Sequence, residues 1–156
     1  MIDIPDLGAL RARLGQEVAV SEWVDMSQQR IDAFAAATDD SQWIHTDPAR
    51  ALTESPYGTT IAHGFLTLSL VSVMSRQAMR IGNLRLAVNY GVNRVRLVAP
   101  VEAGSRIRGR FAPIALEESG GGVQVTWRIT VEREHGDKPC CVAEWVVRYY
   151  ATIPSI

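Results

Sequence analysis

The sequence predicts an α+β fold: an antiparallel sheet wrapped around one long central helix, with helical insertions ahead of it. Three observations point there. The segment from His63 to Met79 carries Phe65, Leu66, Leu68, Val71, Val73 and Met74 on nearly every side, and a helix apolar all round belongs in an interior. Beyond Gly82 the apolar spacing shortens to two residues, the period of a strand. Ahead of the helix, apolar residues recur at three- and four-residue steps. Separate runs of helix and strand mark α+β rather than α/β.

Taken in order, Glu17 to Val24 mixes Val18, Val20 and Trp23 with polar neighbours and suits a short first strand or an extended arm. Ser27 reads as an N-cap, and Ile31, Phe34, Ala35 and Thr38 carry an amphipathic helix that ends near Thr38. Asp40 then falls just past a helix end. Asp47 followed by Pro48 resembles an N-cap and first helical position, so a short helix should run to about Leu52, before a loop around Pro56 and Gly58. His45 is expected in the turn between these helices. After the buried helix, strands are expected near 85–98, 105–116, 123–134 and 140–152, with turns at Glu102-Ala103-Gly104 and His135-Gly136-Asp137.

With 156 residues the chain has the length of one domain, expected to span 1–156. Its 47% hydrophobic and 21% charged residues are ordinary for a soluble globular protein. A formal net charge of -1, without a basic run, excludes the electrostatic footprint of a nucleic-acid binder. No membrane association is expected either. Acidic residues near the N-terminus, where a signal peptide would be basic, make a cytoplasmic location the expectation. Cys140 and Cys141 have no partners elsewhere and read as reduced thiols in a strand.

The chemistry concentrates between Asp40 and Gly64. Asp40 and His45 stand five residues apart in D-S-Q-W-I-H, and H-G opens the buried helix. A carboxylate and an imidazole form a proton-transfer pair, and the free amides of a helix start form an anion site. Together they suit a reaction on a carbonyl compound. Asp39 has the same composition argument as Asp40, and an aspartate after a helix is by itself most often a turn or cap residue. His63 is equally a cap, an interface residue or a functional group. Tyr90 and Asn93 either line the pocket or form a strand pair, with the structural role favoured. Arg94 and Arg96, like Arg106, Arg108 and Arg110, alternate along strands and form a ladder that is either a solvated face or a phosphate contact. His45, Asp47 and His63 match no recognised metal-ligand spacing, so no metal is expected.

Three pieces, A-T-D-D-S-Q-W-I-H-T-D-P-A-R, T-T-I-A-H-G-F-L-T-L-S-L and V-N-Y-G-V-N-R-V-R-L-V-A-P-V-E-A-G-S, resemble the MaoC-like dehydratases. These are hotdog-fold proteins that include the (R)-specific enoyl-CoA hydratases. The last piece is similar to the NodN-like branch, with its Y-G-x-N-[KR]-V-R strand and P-V-x-x-G-S turn. The resemblance implies a sheet rolled around the central helix, a homodimer, an acyl-CoA thioester substrate and an (R) product. Coenzyme A enters only as part of the substrate, and no other cofactor is implied.

The family's D-x-N-P-x-H motif falls on Asp40 and His45, with Gln42-Trp43 replacing Asn-Pro. Gln42 keeps a carboxamide able to hydrogen-bond the loop, while Trp43 loses the fixed torsion of proline. Hydration of a 2-enoyl thioester needs an activated water and a stabilised enolate. Asp40 and His45 meet the first need, and the backbone N–H of Gly64 is the candidate oxyanion donor. Ser72 matches a serine of these hydratases and is expected to support the catalytic loop. A hotdog thioesterase and a non-catalytic acyl-binding or assembly subunit are the alternatives. Unpaired sheet edges give dimerisation a physical basis as well.

Overall fold

The computed structural model describes residues 1–152. It opens with β1 (Ile2–Ile4) and helix α1 (Leu7–Arg11), capped by Asp6, which accepts from the Ala9 amide at 2.8 Å. The sequence reading missed both, because three residues are too few to show a period. β1 pairs in parallel with β4 (Met79–Ile81) and ties the N-terminus to the far end of the central helix. The expected first strand divides into β2 (Ala19–Val20) and β3 (Val24–Asp25), both antiparallel to β6 (Arg106–Ser119).

Helix α2 (Gln28–Thr38) starts at Ser27, whose hydroxyl accepts from the Arg30 amide at 3.2 Å, and buries Ile31 and Ala35. It stops at Asp39, which takes the left-handed conformation with φ 57. His45 is not in an open turn as expected: it lies within a short helix of its own, α3 (Trp43–Thr46). Asp47 then caps α4 (Pro48–Glu54) by accepting from the Arg50 amide at 2.9 Å.

The central helix consists of two segments, α5 (Gly64–Ser69) and α6 (Val71–Ala78), joined at Leu70. Hydrogen bonds from Leu70 N to Leu66 O and from Met74 N to Leu70 O keep them nearly continuous. The expectation of burial on every side fails at Phe65, which is 71% exposed. The helix packs one side on the sheet, against β6 and β8 (Pro139–Ala151), and also meets β2 and β4.

The main sheet runs β2-β6-β7-β8-β5, with β7 (Gly122–Arg133) at its centre, β5 (Leu84–Leu97) at one edge and β3 also paired with β6. Every pairing in it is antiparallel. Gly120 and Gly121, with φ 57 and 78, form the two-residue turn between β6 and β7, a conformation in which side chains are strained. On β7, Val125, Trp127, Ile129 and Val131 alternate with polar neighbours and are fully buried. Each such side chain contributes about 1.5–3 kcal/mol of burial energy. Cys140 and Cys141 are buried free thiols on β8, and burial raises the Cys141 thiol to about 11.

Candidate active site

Two chain segments build the site. The first leaves α2 at Asp39, whose left-handed backbone ends the helix just before Asp40. One turn of helix, α3, then presents His45. The second is the start of α5, where His63 and Gly64 follow one another. The His45 and His63 rings stack, with centroids 3.8 Å apart. One oxygen of Asp40 and one ring nitrogen each of His45 and His63 lie within 4.8 Å of one another. A separation of that size is within reach of one bridging water.

Hydrogen bonds to main-chain carbonyls fix both imidazoles. His45 Nδ1 lies 2.7 Å from Ile61 O. A carbonyl only accepts, so Nδ1 carries the proton and the neutral ring keeps a bare Nε2. Burial lowers the His45 pKa below 6.5, opposed by the Ile61 hydrogen bond; His63 lowers it further and Asp40 raises it. The neutral, proton-accepting form is therefore favoured. His63 Nε2 donates to Asp40 O at 2.9 Å and lies 3.9 Å from the Asp40 carboxylate. His63 is only 3% exposed, whereas the Asp40 side chain is 57% exposed.

His45 and Gly64 line one cavity of about 270 Å³, together with Thr67, Leu97, Val101 and Cys140. The Gly64 amide opens α5 and forms no hydrogen bond among the described residues. Glycine matters here because Leu97 fills the space beside it: an added Cβ would lie 2.1 Å from Leu97 Cδ1.

Two expected supports act elsewhere. Ser72 Oγ accepts from Asn89 Nδ2 at 3.1 Å and bonds β5 rather than the catalytic loop. The Gln42 carboxamide makes no hydrogen bond among the described residues, although Gln42 O accepts from the His45 amide at 2.9 Å. The brace is instead Gln28, at the first position of α2: its Nε2 donates to His45 O at 2.7 Å and its Oε1 accepts from Thr60 Oγ1. Nothing local in the sequence marks Gln28, since its partners lie 17 and 32 positions away.

Four arginines of the ladder are held by glutamates, while Arg96 donates to Val95 O at 2.8 Å. Arg106 pairs with Glu134, Arg108 with Glu132, and Arg110 with Glu17 and Glu132, while Arg94 meets Glu144 at 3.2 Å. Tyr90 lies under the Arg148 guanidinium, 3.4 Å from the ring centroid, and Asn93 pairs with Glu144 across β5 and β8. As for a metal, Asp40, His45 and His63 form a loose three-donor group, but one nitrogen of each ring is already committed to a carbonyl. Asp47, weighed as a ligand from the sequence, is a helix cap instead.

The chain thus brings an acid and a fixed imidazole to one loop beside a helix start, on a sheet curled about one helix. The MaoC like domain family matches residues 10–134, and the chain belongs to that family. It is 48% identical over 143 residues to the 3-hydroxyacyl-thioester dehydratase Z of Mycobacterium tuberculosis, covering 91% of this chain and 94% of that protein. Nodulation protein N of Rhizobium leguminosarum bv. viciae is 46% identical over 142 residues, covering 90% and 88%. Among solved structures, the (R)-hydratase from A. caviae involved in PHA biosynthesis superposes with a TM-score of 0.65 at 26% identity, covering 86% of this chain and 94% of that one. A MaoC-like dehydratase from Rhodospirillum rubrum, at 20% identity and TM-score 0.67 with 90% and 95% covered, shares the fold. The fold is the expected hotdog, and the chain is a hydro-lyase.

Proposed function

We propose that this protein hydrates trans-2-enoyl-CoA to (R)-3-hydroxyacyl-CoA, and dehydrates the product in reverse, as a single MaoC-like domain. The carrying observation is that a ring nitrogen of His45 and a carboxylate oxygen of Asp40 lie within 4.8 Å of one another, within reach of one water, while Gly64 lines the same cavity as His45. His45 takes a proton from water as its oxygen bonds the β carbon. Asp40 orients that water. The thioester oxygen gathers negative charge and accepts from the Gly64 N–H, and the proton drawn from water goes to the α carbon. Water is thereby added whole. An oxyanion donor of this kind typically contributes about 3 kcal/mol of barrier lowering. Each chemical need is met by a group of the chain, so coenzyme A enters as part of the substrate and no further cofactor is called for.

A homodimer belongs to this reading. β5 has a neighbour on one side only, and Leu86, Val88, Tyr90 and Val92 on it are exposed beside Phe65 of α5. An apolar face along an unpaired edge is completed when a second copy covers it. Cytoplasmic residence fits a CoA-dependent reaction, and among the described residues no helix is long and apolar enough to cross a membrane.

Incubation with crotonyl-CoA tests the reaction: enoyl absorbance should fall, the product should be (R), and a thiol reagent should stay silent. Released thiol would establish a thioesterase instead, and an unchanged substrate a non-catalytic acyl-binding or assembly subunit. Light scattering after size exclusion should give twice the chain mass.

A further inference from the structure

We propose that His63 is a positioning residue that holds Asp40, His45 and the Gly64 amide in one geometry; this rests on the hydratase reading above. Three observations on a single side chain carry it. Its Nε2–H donates to the main-chain oxygen of Asp40 at 2.9 Å, across 23 positions of sequence. Its ring lies against that of His45 with centroids 3.8 Å apart and planes inclined by 29°. Its own backbone precedes Gly64 and joins the helix, with Thr67 N donating to His63 O at 3.2 Å. A movement of His63 therefore displaces all three working groups together.

Simple packing does not account for a histidine here. His63 caps nothing with its side chain, and its Nδ1 is the one buried side-chain polar atom among the described residues that lacks a partner. Leaving such an atom unpaired costs about 1–3 kcal/mol. Phenylalanine would fill the space against Phe34, whose ring centroid is 5.1 Å away, without that cost. What phenylalanine lacks is the donor to Asp40. Glutamine keeps a donor at about the same reach but lacks the flat surface beneath His45. The two substitutions divide the role into its parts.

The test is steady-state hydration of crotonyl-CoA by the parent, His63→Phe and His63→Gln, with thermal melts of each. His63→Phe should lose about 100-fold in kcat, the scale of an ångström-level misplacement, with KM within about threefold and a melting temperature no lower than the parent's. His63→Gln should recover about tenfold of that loss through the restored donor. With three histidines in the chain, imidazole ¹H–¹⁵N spectra read the geometry without turnover. The parent should show His45 protonated at Nδ1 and His63 at Nε2, and the His45 Nδ1–H signal should broaden in both variants. Parental kcat and an unchanged His45 signal in a folded variant would overturn the proposal, and if His63→Phe does not fold, His63→Gln decides it by the same two readings. A parent that does not hydrate crotonyl-CoA refutes the hydratase reading itself, a result distinct from variants that retain activity.

Discussion

The two halves of the site differ in where they stand. The loop from Asp40 to His45 is reached by solvent, with the Asp40 side chain more than half exposed; the His63-Gly64 start of α5 is packed inside, against Phe34 and Leu97. In the proposed mechanism the groups that handle protons sit where water arrives, and His63, which holds them, is buried. Substitutions in the first half should therefore remove rate and leave stability alone. Those in the second half should act through the geometry they impose on the first.

Asp40→Asn and His45→Gln should each lower kcat by about 10³-fold, within the range of general acid–base catalysis. Their melting temperatures should stay close to the parent's, as expected for side chains outside the core. A large fall in melting temperature in either would erase the contrast. Gly64→Ala belongs to the buried half. Its Cβ must displace the half-exposed Leu97 side chain, so kcat/KM should fall by about tenfold with a stability loss of about 0.5 kcal/mol. Shortening Leu97 to Ala in the same protein should return part of both.

The pH profile sharpens the comparison. His45 is held below its ordinary value of 6.5, chiefly by burial, so the acid limb of kcat/KM should have its midpoint below pH 6.5. The stability sign follows. Between the folded and unfolded values the unfolded chain binds more protons at this site, so the His45 contribution is present above about pH 6.5 and is lost as pH falls toward the folded value. A midpoint above 6.5 in the kinetic profile would place another group in the role of base. Gln28→Ala, which removes the brace on His45 O, should cost about threefold in kcat and about 1 kcal/mol. Ser72→Ala should be the mildest, within about twofold, because its hydroxyl serves Asn89 rather than the loop.

Legibility in the sequence follows the same division. Asp40, His45 and Gly64 stand out as candidates because each lies in a short local pattern: an acid after a helix end, an imidazole five positions on, a glycine at a helix start. Gln28 and Leu97 do not, since they reach the site through tertiary contacts that leave no periodic signal. Ser72 bonds Asn89 rather than the loop for a geometric reason. Eight residues beyond Gly64, it lies roughly 80° around the helix, which turns it toward Asn89 on β5. Among the strands, β5 and β7 both look apolar and alternating, yet one exposes Val88, Tyr90 and Val92 while the other buries Val125, Trp127 and Ile129. Only the strand order shows which is the edge. Likewise, the sequence leaves the ladder of Arg106, Arg108 and Arg110 as either a solvated face or a phosphate contact, and only the fold brings Glu134, Glu132 and Glu17 beside it.

The central claim is that Asp40 and His45 work on one water molecule. The Asp40→Asn/His45→Gln double variant tests this most directly, through its kcat for crotonyl-CoA hydration beside those of the single variants. Groups that act as a unit are not additive, so the double variant should be no more than about threefold slower than the slower single one. Losses that multiply would show two independent roles and contradict the account.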